Sequence, residues 1–287
     1  MNLMRRPILF GLILCLTLGF PIGCTTGPTN TGKKEIDLLW ESKAAFQQGK
    51  TDRALEIAST AVEVTPDRAE AWNVRGFLYA SQGRMEQALS DFTKAGRLDP
   101  TNATYLSNVG VASLESGKAD QALAAFNEAL EVGPESALAL KHRGMAYRQL
   151  GELENALHDF NAAMLLDGKD ATIYANRAVV FALQQEYREA KRDLDLAADL
   201  NGALPEIYQS RGLVEMLIGR FDKAEKDFSQ AVALGAVDNL LLYNRGVARS
   251  MLGDSTGAHD DYARSCRNGY PPACSFTQIV PPTVPML

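Results

Sequence analysis

The sequence contains few of the residues on which catalytic and metal sites depend. It has only three histidines, His142, His158 and His259, and no two of them stand at metal-ligand spacing with a cysteine or carboxylate motif. A glycine-rich phosphate loop, a nucleophile elbow and a metalloprotease motif are all missing. We therefore predict that the protein is not an enzyme and has no catalytic residues, no metal site and no cofactor.

Runs of basic residues are missing as well, and the formal net charge is −6. Because a phosphate backbone is bound by grouped Lys and Arg side chains, this composition argues against nucleic acid as a partner. The apolar content of 46% over 287 residues is enough for a sizeable core.

One long apolar run is present, at the N-terminus. Two arginines precede apolar residues 8–20, and the small residue Gly23 stands directly before Cys24. This layout is typical of an export signal and is short for a membrane-spanning helix. The segment resembles the signal of bacterial lipoproteins, which implies that residues 1–23 are removed and that Cys24 carries the acyl groups, palmitate among them. An uncleaved signal anchor and plain secretion are the alternatives.

A sequence motif recurs every 34 residues along most of the chain. The stretch "GRMEQALSDFTKA" at Gly83 returns as "GKADQALAAFNEA" at Gly117 and as "GELENALHDFNAA" at Gly151. Extending this frame in both directions gives seven units without insertion or deletion. The units are residues 35–68, 69–102, 103–136, 137–170, 171–204, 205–238 and 239–272.

Each unit has two stretches with apolar residues at helical spacing. A small residue such as Gly76 recurs in the first stretch, and a large residue such as Phe92 recurs in the second. The small residue lets two helix backbones come close, and the large one fills the space beside them. The pattern resembles the tetratricopeptide repeat (TPR), whose unit is a pair of antiparallel helices. The resemblance implies an all-α fold, a right-handed superhelical solenoid of seven 34-residue helix-turn-helix repeats.

A second glycine position marks the turn between the two helices of a unit. Glycine there can take the left-handed conformation that ends a helix. The exception is Gln185. We expect Gln185 to cost about 1 kcal/mol at this position, unless its turn is built differently.

Oppositely charged residues recur sixteen positions apart, an arginine on the first helix and an aspartate on the second. Both charges are absent from units one and three, which argues for a pair within each unit. We predict partly buried, bidentate ion pairs that fix the pairing of the helices. The pairs are Arg75 with Asp91, Arg143 with Asp159, Arg177 with Asp193, Arg211 with Asp227, and Arg245 with Asp261.

The resemblance also implies a binding groove, because the first helices of TPR proteins line a concave face. The later of the two groove positions is apolar in most units, which suits an extended peptide or an amphipathic helix. The alternative is that this position packs against the neighbouring first helix. The groove residues are Asn73, Phe77, Ser107, Val111, Lys141, Met145, Val179, Gln209, Leu213, Tyr243 and Val247.

Two cysteines, Cys266 and Cys274, straddle a glycine and two prolines at the end of the last unit. The breakers let the chain fold back, and an even number of cysteines in an exported protein suits one disulfide. This end resembles the cysteine-bearing SEL-like repeats, in which such a pair is bridged. Two separate buried thiols are the alternative. Residues 273–287 are expected to form a flexible or extended tail.

These features together predict a noncatalytic scaffold that a lipidated Cys24 and a flexible tether, residues 24–34, hold at the bacterial envelope. Thr25 after the cysteine implies, by the lipoprotein rule, the outer membrane facing the periplasm. Its partners would be proteins or peptides of the envelope, as for an adaptor of envelope assembly or of peptidoglycan enzymes. A pilotin for a type IV pilus or secretion-system secretin is one alternative. A cryptic envelope enzyme or enzyme subunit is another.

Overall fold

The protein is all-helical over the residues that the computed structural model describes, which are 30–236 and 238–276, with side chains from residue 37 onward. Helices α1 to α15 follow one another there without a strand. The all-α fold class is therefore confirmed. The predicted signal peptide and Cys24 lie outside the described residues, as do tail residues 277–287.

The described residues divide into two compact units, and the division falls inside α8, between Asp159 and Phe160. The N-terminal unit contains α1 (Asn30–Gln47), α2 (Thr51–Val64), α3 (Ala69–Ser81), α4 (Met85–Leu98), α5 (Ala103–Glu115), α6 (Ala119–Val132), α7 (Ala137–Leu150) and the start of α8 (Leu153–Leu166). The C-terminal unit contains the end of α8, α9 (Ala171–Leu183), α10 (Tyr187–Leu200), α11 (Pro205–Leu217), α12 (Phe221–Ala233), α13 (Asn239–Met251), α14 (Ser255–Arg267) and α15 (Pro271–Cys274).

The helices follow the repeat frame. Each 34-residue repeat supplies one helix before its turn and one after it. In the N-terminal unit α3 packs against α4, and α4 packs in turn against α5, the first helix of the next repeat. The same order holds in the C-terminal unit, where α11 packs against α12 and α12 against α13. A single repeat cannot bury its apolar face alone, and these contacts between neighbours supply the core.

Glycine is required where helices α5 and α6 cross, and again where α11 and α12 cross. A β-carbon added at Gly110 would lie 2.6 Å from the ring of Phe126, closer than real β-carbon contacts. The same distance separates a β-carbon added at Gly212 from the ring of Phe228. The rings are fully buried, so they cannot move aside without disturbing the core.

Gln185 adopts the left-handed conformation that glycine has in the other repeats. Its φ is 65°, and that of Gly83, at the same place in another repeat, is 73°. The turn is therefore built in the same way in both repeats. Since a β-carbon disfavours positive φ, Gln185 carries the backbone strain that the sequence predicts.

Helix α1 begins at Asn30, inside the segment predicted to be a flexible tether. The residues before Glu35 include two lysines, which are good helix formers and favour this extension of α1. At the other end, α15 (Pro271–Cys274) crosses the predicted limit of the last repeat at residue 272. Ala273 is fully buried there, so the first part of the predicted tail belongs to the folded structure.

Candidate protein-binding surface on the first helices

The predicted groove residues before the small position are half-buried, and the structure gives several of them partners within the protein. The Asn108 side chain donates a hydrogen bond to Asn73 Oδ1 at 2.7 Å. Gln209 Nε2 donates to Asp238 Oδ2, also at 2.7 Å. The corresponding residues Ser107 and Lys141 are half-buried. The hydrogen bonds hold the Asn73 and Gln209 side chains in place, which reduces the entropy that these two residues would lose on binding a ligand.

The predicted groove residues after the small position pack largely against other parts of the protein. Phe77 meets Phe46 of the preceding first helix edge to face, with ring centroids 5.2 Å apart. Met145 is only 5% exposed. Leu213 and Val247 each pack against a buried cluster. This packing favours the alternative interpretation, in which these residues stabilise the stack. The other members, Val111 and Val179, are half-buried.

Sequence reasoning missed a more exposed position, at the end of the first helices. Three helices of the C-terminal unit, α9, α11 and α13, end in Leu183, Leu217 and Met251. Leu217 is 52% exposed and Met251 is 60% exposed, whereas Leu183 is half-buried. Because α11 contacts both α9 and α13, the three side chains occupy one register on neighbouring helices. We call Leu183, Leu217 and Met251 the last-turn apolar patch.

The same register in the N-terminal unit is polar. Its residues are Gln47, Ser81, Glu115 and Gln149. Aligning the repeats every 34 residues shows this change from polar to apolar residues, so it could have been found in the sequence.

Glu115, the member of this register on α5, is half-buried. Burial raises the pKa of the Glu115 carboxyl above its ordinary value.

The five predicted ion pairs are present as bidentate contacts. Arg177 Nε and Nη2 donate to the two carboxylate oxygens of Asp193 at 2.7 and 2.8 Å. The Asp193 side chain is only 4% exposed. The same two nitrogens of Arg75, Arg143, Arg211 and Arg245 contact the carboxylates of Asp91, Asp159, Asp227 and Asp261.

In four of the five pairs, the third guanidinium nitrogen of the arginine has a partner that sequence reasoning missed. Arg177 Nη1 donates to Asn161 Oδ1 of the preceding repeat at 2.6 Å. In the next repeat, Arg211 Nη1 contacts Asp195 at 3.0 Å. Each such arginine therefore joins its own aspartate to a polar residue of the preceding repeat. Asn127 and Ser229 have this role for Arg143 and Arg245.

The C-terminal end is closed by a disulfide and an aromatic cluster. Cys266 and Cys274 are bonded, with their α-carbons 4.9 Å apart. Phe276 stacks on Tyr262 with ring centroids 4.9 Å apart, and its ring lies 6.1 Å from that of Tyr243. Tyr243, one of the predicted groove residues, thus belongs to this cluster. Burial raises the pKa of Tyr262 to about 12.

Among the described residues, His, Cys, Asp and Glu side chains form no group of three suited to a metal ion. No helix in the described part of the chain has the length and apolar composition needed to span a membrane.

Helix pairs that repeat in a fixed frame, several of them with a buried glycine–aromatic contact where the helices cross, define an all-α repeat protein. The family model described as tetratricopeptide repeat matches residues 41–103, 110–172 and 210–271. These ranges include more than half of the chain. The protein therefore belongs to the tetratricopeptide repeat family. No curated protein matches the chain.

Solved structures with the same fold agree with this assignment. A tetratricopeptide repeat protein from Parabacteroides merdae is similar with a TM-score of 0.70 and 21% identity, over 86% of this chain and 98% of that one. Pseudomonas aeruginosa pilF has a TM-score of 0.61 and 20% identity, over 72% of this chain and 94% of its own. PilW, a type IV pilus biogenesis factor, has a TM-score of 0.64 and 19% identity, over 73% of this chain and 96% of its own. At these identities the likeness shows the fold alone.

Proposed function

We propose that this protein is a noncatalytic scaffold of the bacterial envelope, anchored by a lipid on Cys24 and facing the periplasm from the outer membrane. It recruits partner proteins or peptides on its first helices. The family membership supports the scaffold role, since stacked repeats provide extended binding surfaces. The lipoprotein-like N-terminus supports the anchor, which would keep partners near the membrane at a raised effective concentration.

The observation that carries the binding role is the exposure of the last-turn apolar patch. Large apolar side chains on neighbouring helices, bordered by half-buried residues such as Leu213 and Val247, resemble the centre of a binding interface. The surface fits an apolar segment of a partner, either an extended peptide or one face of an amphipathic helix.

Affinity capture from solubilised envelopes tests the binding role. We expect wild-type protein to recover envelope proteins that the double variant Leu217→Asp/Met251→Asp does not recover. The matched control is Gln149→Asp, in the same register of the N-terminal unit, which should recover the same proteins as wild type. Equal recovery by the patch variant and the wild type would remove the patch from the binding surface.

Membrane fractionation tests the anchor separately. Cys24→Ser removes the thiol that would be acylated, so we expect the variant to move from the membrane fraction to the soluble periplasmic fraction. The control is Cys15→Ser, which lies within the predicted signal and should fractionate as wild type does. A Cys24→Ser variant that remains with the membranes refutes the lipid anchor.

A role in assembling a type IV pilus is the second candidate, because PilW, a type IV pilus biogenesis factor, shares this fold. The same capture experiment separates the two. Recovery of secretin and pilus proteins supports the pilus role, and recovery of murein hydrolases supports an adaptor for peptidoglycan enzymes.

A further inference from the structure

The described residues end beside a row of apolar residues on α13 that is half-buried at one end and exposed at the other. Phe276 lies against Tyr243, which is in the second turn of α13 (Asn239–Met251). Val247 and Met251 follow Tyr243 one and two turns later, so the three residues form a ridge along this helix. The described residues thus end at one end of a ridge whose other end is Met251, a member of the last-turn apolar patch.

The residues that follow have a composition suited to such a surface. Residues 277–287 read "TQIVPPTVPML" and include no Asp, Glu, Lys or Arg. The three prolines, Pro281, Pro282 and Pro285, oppose a helix and favour the polyproline II conformation, which loses little entropy on binding. Ile279, Val280 and further apolar residues could therefore dock as an extended segment.

The segment is long enough to cover the patch. At about 3.1 Å per residue, its eleven residues reach about 34 Å. Tyr243 and Met251 are about 12 Å apart along the helix, at 1.5 Å per residue. Neighbouring packed helices lie about 8–10 Å apart, so Leu217 on α11 and Leu183 on α9 are also within that reach.

We propose that residues 277–287 dock on the last-turn apolar patch of their own chain and compete there with partners. Attachment through Phe276 favours the chain's own segment over a second copy, because a short linker gives an effective concentration in the millimolar range. This inference rests on the proposed function, since the covered patch is the surface assigned to partners.

Methionine methyl resonances report on the docking directly. The protein is labelled with ¹³C at the methionine methyl groups, and the Met251 signal is identified by its loss in Met251→Leu. We expect removal of residues 277–287 to shift the Met251 signal. The full-length variant Val280→Asp/Val284→Asp, which places charges in the segment, should produce the same shift. Met85 in the N-terminal unit and Met164, which packs against a core cluster of the C-terminal unit, should not move, and their unchanged signals show that both units of each variant are folded.

A synthetic peptide of residues 277–287 serves as the probe in the reverse experiment. It should return the Met251 signal of the shortened protein to its full-length position. It should bind the full-length protein about tenfold more weakly, as expected when a tethered competitor at about 1 mM opposes a Kd of about 0.1 mM. A Met251 signal that is the same with and without residues 277–287 overturns the proposal. A signal position that changes on dilution overturns docking within one chain and indicates a second copy.

The two proposals fail in distinguishable ways. If Met251 does not respond to removal of the segment but Leu217→Asp/Met251→Asp still abolishes capture, the patch binds partners without self-docking. If Met251 responds but capture does not depend on the patch, the segment is a structural cover and the partner surface lies elsewhere.

Discussion

Replacing Gly110 by alanine tests whether the helix pairs are held at a fixed separation. The new methyl group would lie 2.6–2.7 Å from three ring carbons of Phe126. That ring is fully buried, so the clash must be relieved by moving helices α5 and α6 apart or by distorting the ring. We expect the substitution to destabilise the protein even though alanine is the better helix former.

The magnitude follows from two opposing contributions. Overpacking a well-packed core costs about 1–3 kcal/mol, and contacts this short with three atoms place Gly110→Ala near the upper end. Replacing glycine by alanine inside a helix contributes about 1 kcal/mol in the other direction. The net loss in the free energy of unfolding should therefore be about 2 kcal/mol.

A second substitution separates the clash from other effects. Phe126→Leu alone should cost about 1 kcal/mol through the cavity that it leaves. In Gly110→Ala/Phe126→Leu the methyl group enters that space, so the double variant should be about as stable as Phe126→Leu or slightly more stable. The expected coupling energy is about 2–3 kcal/mol in favour of the double variant. Repeat five already has this combination, with Ala178 on its first helix and Leu194 on its second.

Urea unfolding followed by circular dichroism at 222 nm measures these differences, with equal m-values required before free energies are compared, because repeat arrays do not always unfold in one step. Gly96→Ala is the matched control. A β-carbon there would meet Leu106 at an ordinary 3.4 Å, so we expect a gain of about 0.5–1 kcal/mol. If Gly110→Ala is as stable as Gly96→Ala, the fixed helix separation inferred from the glycine position is refuted.

Three further substitutions test the ion pairs, the turn and a buried carboxyl. Arg177→Ala should lower the free energy of unfolding by about 3 kcal/mol in a thermal or urea melt, because Asp193 is left buried and unpaired. Gln185→Gly should raise it by about 1 kcal/mol, because glycine adopts the positive φ without strain. Glu115→Gln should stabilise the protein at pH 7, because burial raises the pKa of Glu115 and its ionisation opposes folding. That gain should disappear below about pH 4, the unfolded-state pKa of a glutamate, where Glu115 is protonated in both states.

Each of these has its own control. Asn161→Ala removes only the bond from the third nitrogen of Arg177 and should cost about 1 kcal/mol, so an equal loss for Arg177→Ala would show that the Asp193 pair contributes little. Gly83→Gln places glutamine at the same turn of another repeat. It should lower the free energy of unfolding by as much as Gln185→Gly raises it. A pH-independent effect of Glu115→Gln would mean that ionisation is not its cause.

The repeat frame could be predicted from sequence because its residues are fixed by contacts inside one helix pair. Gly110 and Phe126 are sixteen residues apart in sequence and in contact in the structure, so each limits what can stand at the other position. The same holds for Arg177 and Asp193. Such local constraints recur every 34 residues and stand out against the variable surface. The left-handed turn at Gln185 shows that the frame holds even where the usual residue is replaced.

Contacts between repeats were harder to predict, because they depend on how the stacked pairs face one another. The bond from Arg177 to Asn161 has the same sixteen-residue spacing as the pair with Asp193, but in the opposite direction along the chain. Polar residues are common on exposed helix faces, so Asn161 did not stand out. Likewise, contacts such as that of Phe77 with Phe46, which indicate that the apolar groove position serves the stack, are visible in the structure and not in the sequence.

This division explains where a binding surface can differ within a regular repeat protein. The side chains at the glycine, aromatic, arginine and aspartate positions are needed for packing within the repeat. Substitution there costs stability, so these positions cannot readily vary to recognise a partner. The register of Ser81, in the last turn of the first helices, has no such constraint, and in this chain it changes from polar residues such as Ser81 to apolar residues such as Met251. Met251 is 60% exposed, so its apolar character contributes little to the core, and its alignment with Leu217 on the neighbouring helix suggests another reason. Docking of an apolar segment, whether from a partner or from residues 277–287, supplies that reason without altering the repeat frame.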